Sequence, residues 1–125
     1  MIQAWLLSAF VIGLFGLFGA KRTDPDEAVL AQLKKANSNL LKPHKIDFFL
    51  YFPTQSAAEQ AALRLKESGF AVEVKPAAQG NDSLCFSVKT MVPELAALQQ
   101  IRREFNSLVA SNGGEYDGWG TAIVE

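Results

Sequence analysis

The chain has 125 residues, 49% of them hydrophobic and 20% charged, with a formal net charge of −1. That length suits one compact domain that buries its own core, and the near-neutral balance excludes a general electrostatic attraction to nucleic acid. A single cysteine, Cys85, excludes an internal disulfide and a multi-cysteine metal site.

The averages conceal an uneven distribution, because all 12 Lys/Arg and all 13 Asp/Glu follow residue 20. Fifteen of the first twenty residues are hydrophobic, and the rest are Gln3, Ser8, Gly13, Gly16 and Gly19. As a helix, residues 2–20 would span roughly 28 Å, close to the ~30 Å hydrocarbon core of a bilayer. Trp5 is placed to anchor one interface. A cleaved signal peptide normally has basic residues before its apolar run and small residues at the cleavage site. Here no Lys or Arg precedes the run, and bulky Phe18 stands in Phe18-Gly19-Ala20. The segment therefore reads as an uncleaved, single-pass anchor in the lipid bilayer of the cell inner membrane. Lys21 and Arg22 follow it directly, and positive residues stay inside, so residues 23–125 are expected to face the cytoplasm. The Ala9/Gly13 and Gly16/Ala20 pairs have the small-xxx-small spacing of associating membrane helices. They raise a weak homo-oligomer as a hypothesis, which crosslinking in membranes tests.

After a linker at residues 21–24 comes a domain spanning residues 25–125. Thr23-Asp24-Pro25 marks a helix start, with Asp24 as N-cap, Pro25 in the first turn, and Asp26 and Glu27 favourable to the dipole. The helix runs to about residue 37 with Val29, Leu30 and Leu33 as its apolar side. Residues 45–52, KIDFFLYF, are the strongest strand signal in the chain, with Ile46, Phe48, Leu50 and Phe52 on one face and Asp47, Phe49 and Tyr51 on the other. Thr54 or Ser56 caps a second helix, in which Ala58, Ala61, Ala62 and Leu65 recur at helical spacing before Gly69. Residues 70–75 form a second strand with Phe70, Val72 and Val74 inward, and residues 79–82 form a turn. The third strand, at 84–91, is expected to turn Leu84, Phe86 and Val88 inward and Cys85, Ser87 and Lys89 outward. Pro93 opens the longest helix, to about residue 111, with Leu95, Leu98, Ile101, Phe105, Leu108 and Val109 as its stripe. A last strand is expected within residues 119–124. The order β-α-β-β-α-β predicts an α+β, ferredoxin-like sandwich, an antiparallel sheet with two helices on one face, preceded by an extra helix and the transmembrane helix.

No constellation for catalysis stands out, and no cofactor or metal is expected. His44, the one histidine, sits beside Pro43 and reads as a loop or surface residue. Cys85 has no basic neighbour in sequence to activate it. Gly113-Gly114 precedes no helix and so offers no phosphate cradle. RNA-recognition domains of similar topology stack bases on aromatics of two central strands within a basic surface. Phe49 and Tyr51 supply half of that here, while Phe86 is read as inward and the basic surface is missing. An apolar open face without positive charge fits a protein contact better than direct binding of nucleic acid.

The most distinctive stretch is GEYDGWGT at residues 114–121. Asp117-Gly118 is a turn pair, and Tyr116 and Trp119 are large amphipathic residues around it. They either seal the end of the core or form a partner-contact cluster with Phe49, Tyr51 and Asp117. At this motif the sequence resembles the regulator of ribonuclease E activity B family. Supporting matches are the strand ending in Phe52-Pro53, the alanine-rich helix before Gly69, KTMVP at 89–93 and the long helix before Gly113. The resemblance spans about residues 28–125. It implies a ferredoxin-like fold, no catalysis, and a regulator that restrains RNA decay by protein contact with ribonuclease E or a related RNA-decay assembly. Two other readings stay open: a single-stranded RNA-binding module on the open sheet face, and an exported envelope domain with a different partner.

Overall fold

The computed structural model describes residues 24–125. Among them the order is helix α1 (Pro25–Lys35), strand β1 (His44–Phe52), α2 (Gln55–Glu67), β2 (Ala71–Pro76), β3 (Ser83–Met91), α3 (Leu95–Ala110) and β4 (Glu115–Thr121). The strands form one sheet in the order β2-β3-β1-β4, that of a ferredoxin-like βαββαβ chain. No helix among the described residues is long and apolar enough to cross a membrane. The apolar segment 1–20, with Trp5, Lys21 and Arg22, lies outside the described residues.

Backbone contacts divide the chain into two compact units. One runs up to Ile46 and includes Thr90–Gln100 and Gly118–Glu125; the other comprises Asp47–Lys89 and Ile101–Asp117. In the first, Asp24 caps α1 as expected, its Oδ2 accepting from Asp26 N at 3.1 Å and Glu27 N at 3.0 Å. Ala28, Val29 and Leu33 are its buried side. His44 is not on the surface as expected but only 1% exposed. A backbone carbonyl only accepts, so the His44 Nδ1–H donates to Lys42 O (2.8 Å), leaving Nε2 to accept from the Ser38 hydroxyl at 2.7 Å. Ser38 Oγ in turn accepts from Val124 N at 2.9 Å, and Asn39 N donates to Val124 O at 2.6 Å. The loop before β1 and the C-terminal residues are thus tied together through an imidazole whose two nitrogens are both satisfied. Composition could not disclose this, because the partners lie six and more than eighty residues away.

In the second unit the core is aromatic. Phe48 meets Phe70 and Phe105 edge-on, each with ring centroids 5.5 Å apart, and Phe105 meets Tyr116 at 5.3 Å. Such edge-to-face contacts add to the burial of large rings. Phe48, Leu50 and Phe52 of this unit have 0% exposure, as does Ile46 of the first, in keeping with the alternation of β1. Thr54 proves to be the cap of α2, its hydroxyl accepting from Ala57 N at 3.1 Å. Ala58, Ala61, Ala62 and Leu65 of α2 are buried.

Leu84 is buried as expected, but beyond it strand β3 is phased opposite to expectation. Cys85 and Ser87 are completely buried, and the Cys85 thiol donates to Ala58 O of α2 at 3.0 Å. Lys89, of the same parity, holds its ammonium 4.9 Å from the centre of the core ring Phe70. Phe86 turns the other way, against Phe49. On this side the Cys85 thiol meets the backbone of the alanine-rich α2 directly, an approach that a small side chain permits. The larger Phe86 and Val88 take the opposite face, although hydropathy favoured them for the core. One cost remains, since the buried Ser87 hydroxyl has no hydrogen-bond partner among the described residues. Ser87→Ala removes an orphaned hydroxyl without leaving a large void. It is expected to leave stability unchanged or raise it by about 1 kcal/mol, read as the urea midpoint.

Candidate functional site

Alternation along β1 places Phe49 and Tyr51 on the face away from Phe48 and Leu50. The register between β2 and β3 puts Glu73 opposite Phe86 and Ala71 opposite Val88, so these four residues share that same face. Phe49 and Phe86 meet with centroids 5.6 Å apart at 61°. Lys75 places its ammonium 4.7 Å from the Phe86 centroid and 3.9 Å from Glu73 Oε1. Phe49, Tyr51, Phe86 and Val88 are half-buried, while Glu73 and Lys75 are exposed. The result is a partly exposed aromatic surface with charges at its margin.

Strand β4 contributes its carboxylates to this surface. Its Tyr116 packs on Phe105, so Glu115 and Asp117 alternate to the opposite face, where Asp117 acts electrostatically on Tyr51. Burial, and secondarily the Glu115 charge, hold the Asp117 carboxyl above its ordinary value. Burial, and secondarily the Asp117 charge, likewise raise the Tyr51 phenol. A carboxyl raised on folding favours the native state below its unfolded pKa, and that contribution is lost as pH rises through the folded one. Asp117→Asn is therefore expected to raise Tm at neutral pH. It should also flatten the fall in stability as pH climbs through the carboxylate range, both followed by thermal denaturation across pH.

Five residues were expected to form a contact cluster, and the structure divides them. Phe49, Tyr51 and Asp117 share one surface. Tyr116 belongs to the aromatic core on the other face. Trp119 is 3% exposed, and its indole N–H donates to Asp26 Oδ1 at 3.0 Å. Of the two readings of the tail motif, sealing the core describes Trp119, and Asp26 is the partner that the sequence left as a helix-start charge. Asp117-Gly118 is not a turn between elements. It lies inside β4, which begins at Glu115 rather than Trp119; Gly118 has φ +90°, a conformation that L side chains rarely adopt, and so lets the strand distort without ending. Phe86 joins the surface against expectation. Its signal was the small-residue parity of Cys85 and Ser87 opposite an alanine-rich helix.

The described residues hold no group of three or more His, Cys, Asp or Glu placed to bind a metal. Burial pushes the Cys85 thiol up to about 11, so it is not an activated nucleophile.

A search of curated proteins finds no match to the chain. A family model described as "Regulator of ribonuclease activity B" matches residues 23–121.

Proposed function

As the chain belongs to the regulator of ribonuclease activity B family, we propose that it is a non-enzymatic regulatory binding domain that modulates RNA decay by protein contact. Its partner is ribonuclease E or a related RNA-decay assembly. Residues 1–20 anchor it in the inner membrane, with Trp5 at one interface and Lys21-Arg22 holding residues 23–125 on the cytoplasmic side. Anchoring to the membrane raises the effective concentration of the domain toward a partner held at the same surface.

The observation that carries this reading is the half-buried face of Phe49, Tyr51 and Phe86 with Asp117 beside it. Aromatic residues within a polar margin are the usual composition of a protein-contact surface. Tyr116, packed on Phe105 on the opposite side of β4, holds the strand that carries Asp117. Copurification from solubilised membranes tests the proposal. Recovery of ribonuclease E or another RNA-decay component with the full chain is expected, and its consistent absence overturns the assignment. Topology is tested separately: residues 23–125 should resist protease added outside the cell, and digestion there would favour the exported-domain reading.

Phe86 beside Phe49 on adjacent strands does favour one second reading, direct binding of single-stranded RNA. It requires salt-dependent binding of an oligouridylate that is lost in Phe49→Leu.

A further inference from the structure

We infer that the face carrying Phe49, Tyr51 and Phe86, edged by Glu73, Glu115 and Asp117, docks a Lys/Arg-rich protein segment. The inference rests on the protein-contact reading above and adds the chemistry of the partner. Its first support is charge. Between Asp47 and Asp117 the strand positions that turn to this face hold four carboxylates, buried Asp47 with Glu73, Glu115 and Asp117, against one ammonium, that of Lys75; exposed Lys45, at the start of β1 with the same alternation, adds a second. The other basic residues of this unit lie elsewhere: Arg64 and Lys66 on α2, Arg102 and Arg103 on α3, and Lys89 over Phe70. A nucleic-acid backbone meets repulsion on such a face, whereas a cationic segment meets complementary charge.

The second support is that the face already binds a cation in this manner. Lys75 Nζ lies between a ring and a carboxylate, 4.7 Å from the Phe86 centroid and 3.9 Å from Glu73 Oε1. At the other edge Tyr51 and Asp117 repeat the combination of ring and carboxylate, and Glu115 adds a second negative charge. A guanidinium is suited to both parts at once, since it stacks on aromatic faces and donates to carboxylates. The crowding of Glu115 and Asp117, unfavourable in the isolated fold, becomes favourable when a cation arrives.

The test uses the full chain in neutral-detergent micelles and a short fluorescein-labelled Arg-Gly repeat peptide, with binding to empty micelles subtracted. Wild type should bind the peptide, more weakly as salt rises, and should not bind a Gln-Gly repeat of equal length. Glu115→Gln with Asp117→Asn should weaken binding about tenfold or more, and so should Phe49→Leu with Phe86→Leu. The charge variant is expected to be at least as stable as wild type, so its loss of binding is not unfolding. Peptide affinity within about twofold of wild type in that variant overturns the inference. So does oligouridylate binding abolished by the two leucine substitutions, which would assign the face to RNA. If an RNA-decay component copurifies equally with wild type and the charge variant, the regulator reading stands and this face is not its contact. If the peptide result holds and no such component copurifies, the cationic docking face stands and the ribonuclease assignment falls.

Discussion

Trp119→Ala is expected to lower the stability of the folded chain by about 4 kcal/mol, within the range for emptying a large aromatic site. The indole is 3% exposed and its N–H reaches Asp26, itself only 2% exposed, at 3.0 Å. Alanine therefore leaves a void and also removes a donor from a buried carboxylate, two losses of different origin. Trp119→Phe separates them, because it keeps most of the apolar contact and deletes only the N–H. Hydrogen bonds to charged groups contribute about 1.5–3 kcal/mol, so the phenylalanine variant should fall between wild type and alanine. For a domain of this size each kcal/mol moves Tm by roughly 4–8 °C, so calorimetry resolves all three proteins. A phenylalanine variant as stable as wild type would show that the Asp26 contact contributes nothing.

That pair also marks how far the sequence could be read. Helix starts were legible because capping is local: Asp24 and Thr54 each act on backbone N–H groups within three residues. The inward face of β1 and the alanine side of α2 were legible because their periodicity is unmixed, and both are buried as expected. Strand β3 was not, since apolar or small residues occupy both of its faces and hydropathy alone cannot set the phase. The observed phase goes with the direct contact between the Cys85 thiol and the backbone of α2, a property of the neighbouring element. Gly118 misled for a related reason, because a glycine after aspartate fits a turn and a distorted strand equally well. His44 reads as a loop or surface residue and Asp26 only as a helix-start charge, and their partners Ser38 and Trp119 are found only through the fold. Of the candidate surface, Phe49, Tyr51 and Asp117 followed from alternation and motif. Phe86 and the pairing of Lys75 with Glu73 required the register.

Gly114→Ala is expected to be the next most damaging single substitution, although it adds one methyl group. The added Cβ would collide with the Tyr51 carbonyl oxygen and lie 3.0 Å and 3.3 Å from Phe52 Cδ2 and Cε2. Neither neighbour yields readily, since one is strand backbone and the Phe52 ring has 0% exposure. Overpacking of this kind costs about 1–3 kcal/mol, and backbone on the far side of the clash puts this site toward the upper end. Alanine also restricts the unfolded chain, worth about 0.4–1 kcal/mol in the opposite direction, which offsets only part of the loss. Gly80→Ala supplies the control, because its Cβ would meet nothing within 4 Å and only its φ of +76° is strained. The Gly114 variant should melt well below the Gly80 variant. Moving the Tyr51 carbonyl also moves the residue that shares its surface with Asp117, so Gly114→Ala should weaken Arg-Gly peptide binding at temperatures where it remains folded. Gly80→Ala, on the turn between β2 and β3, should leave that binding unchanged. If both variants bind and melt alike, the junction of residue 114 with the end of β1 is not what holds the aromatic face in place.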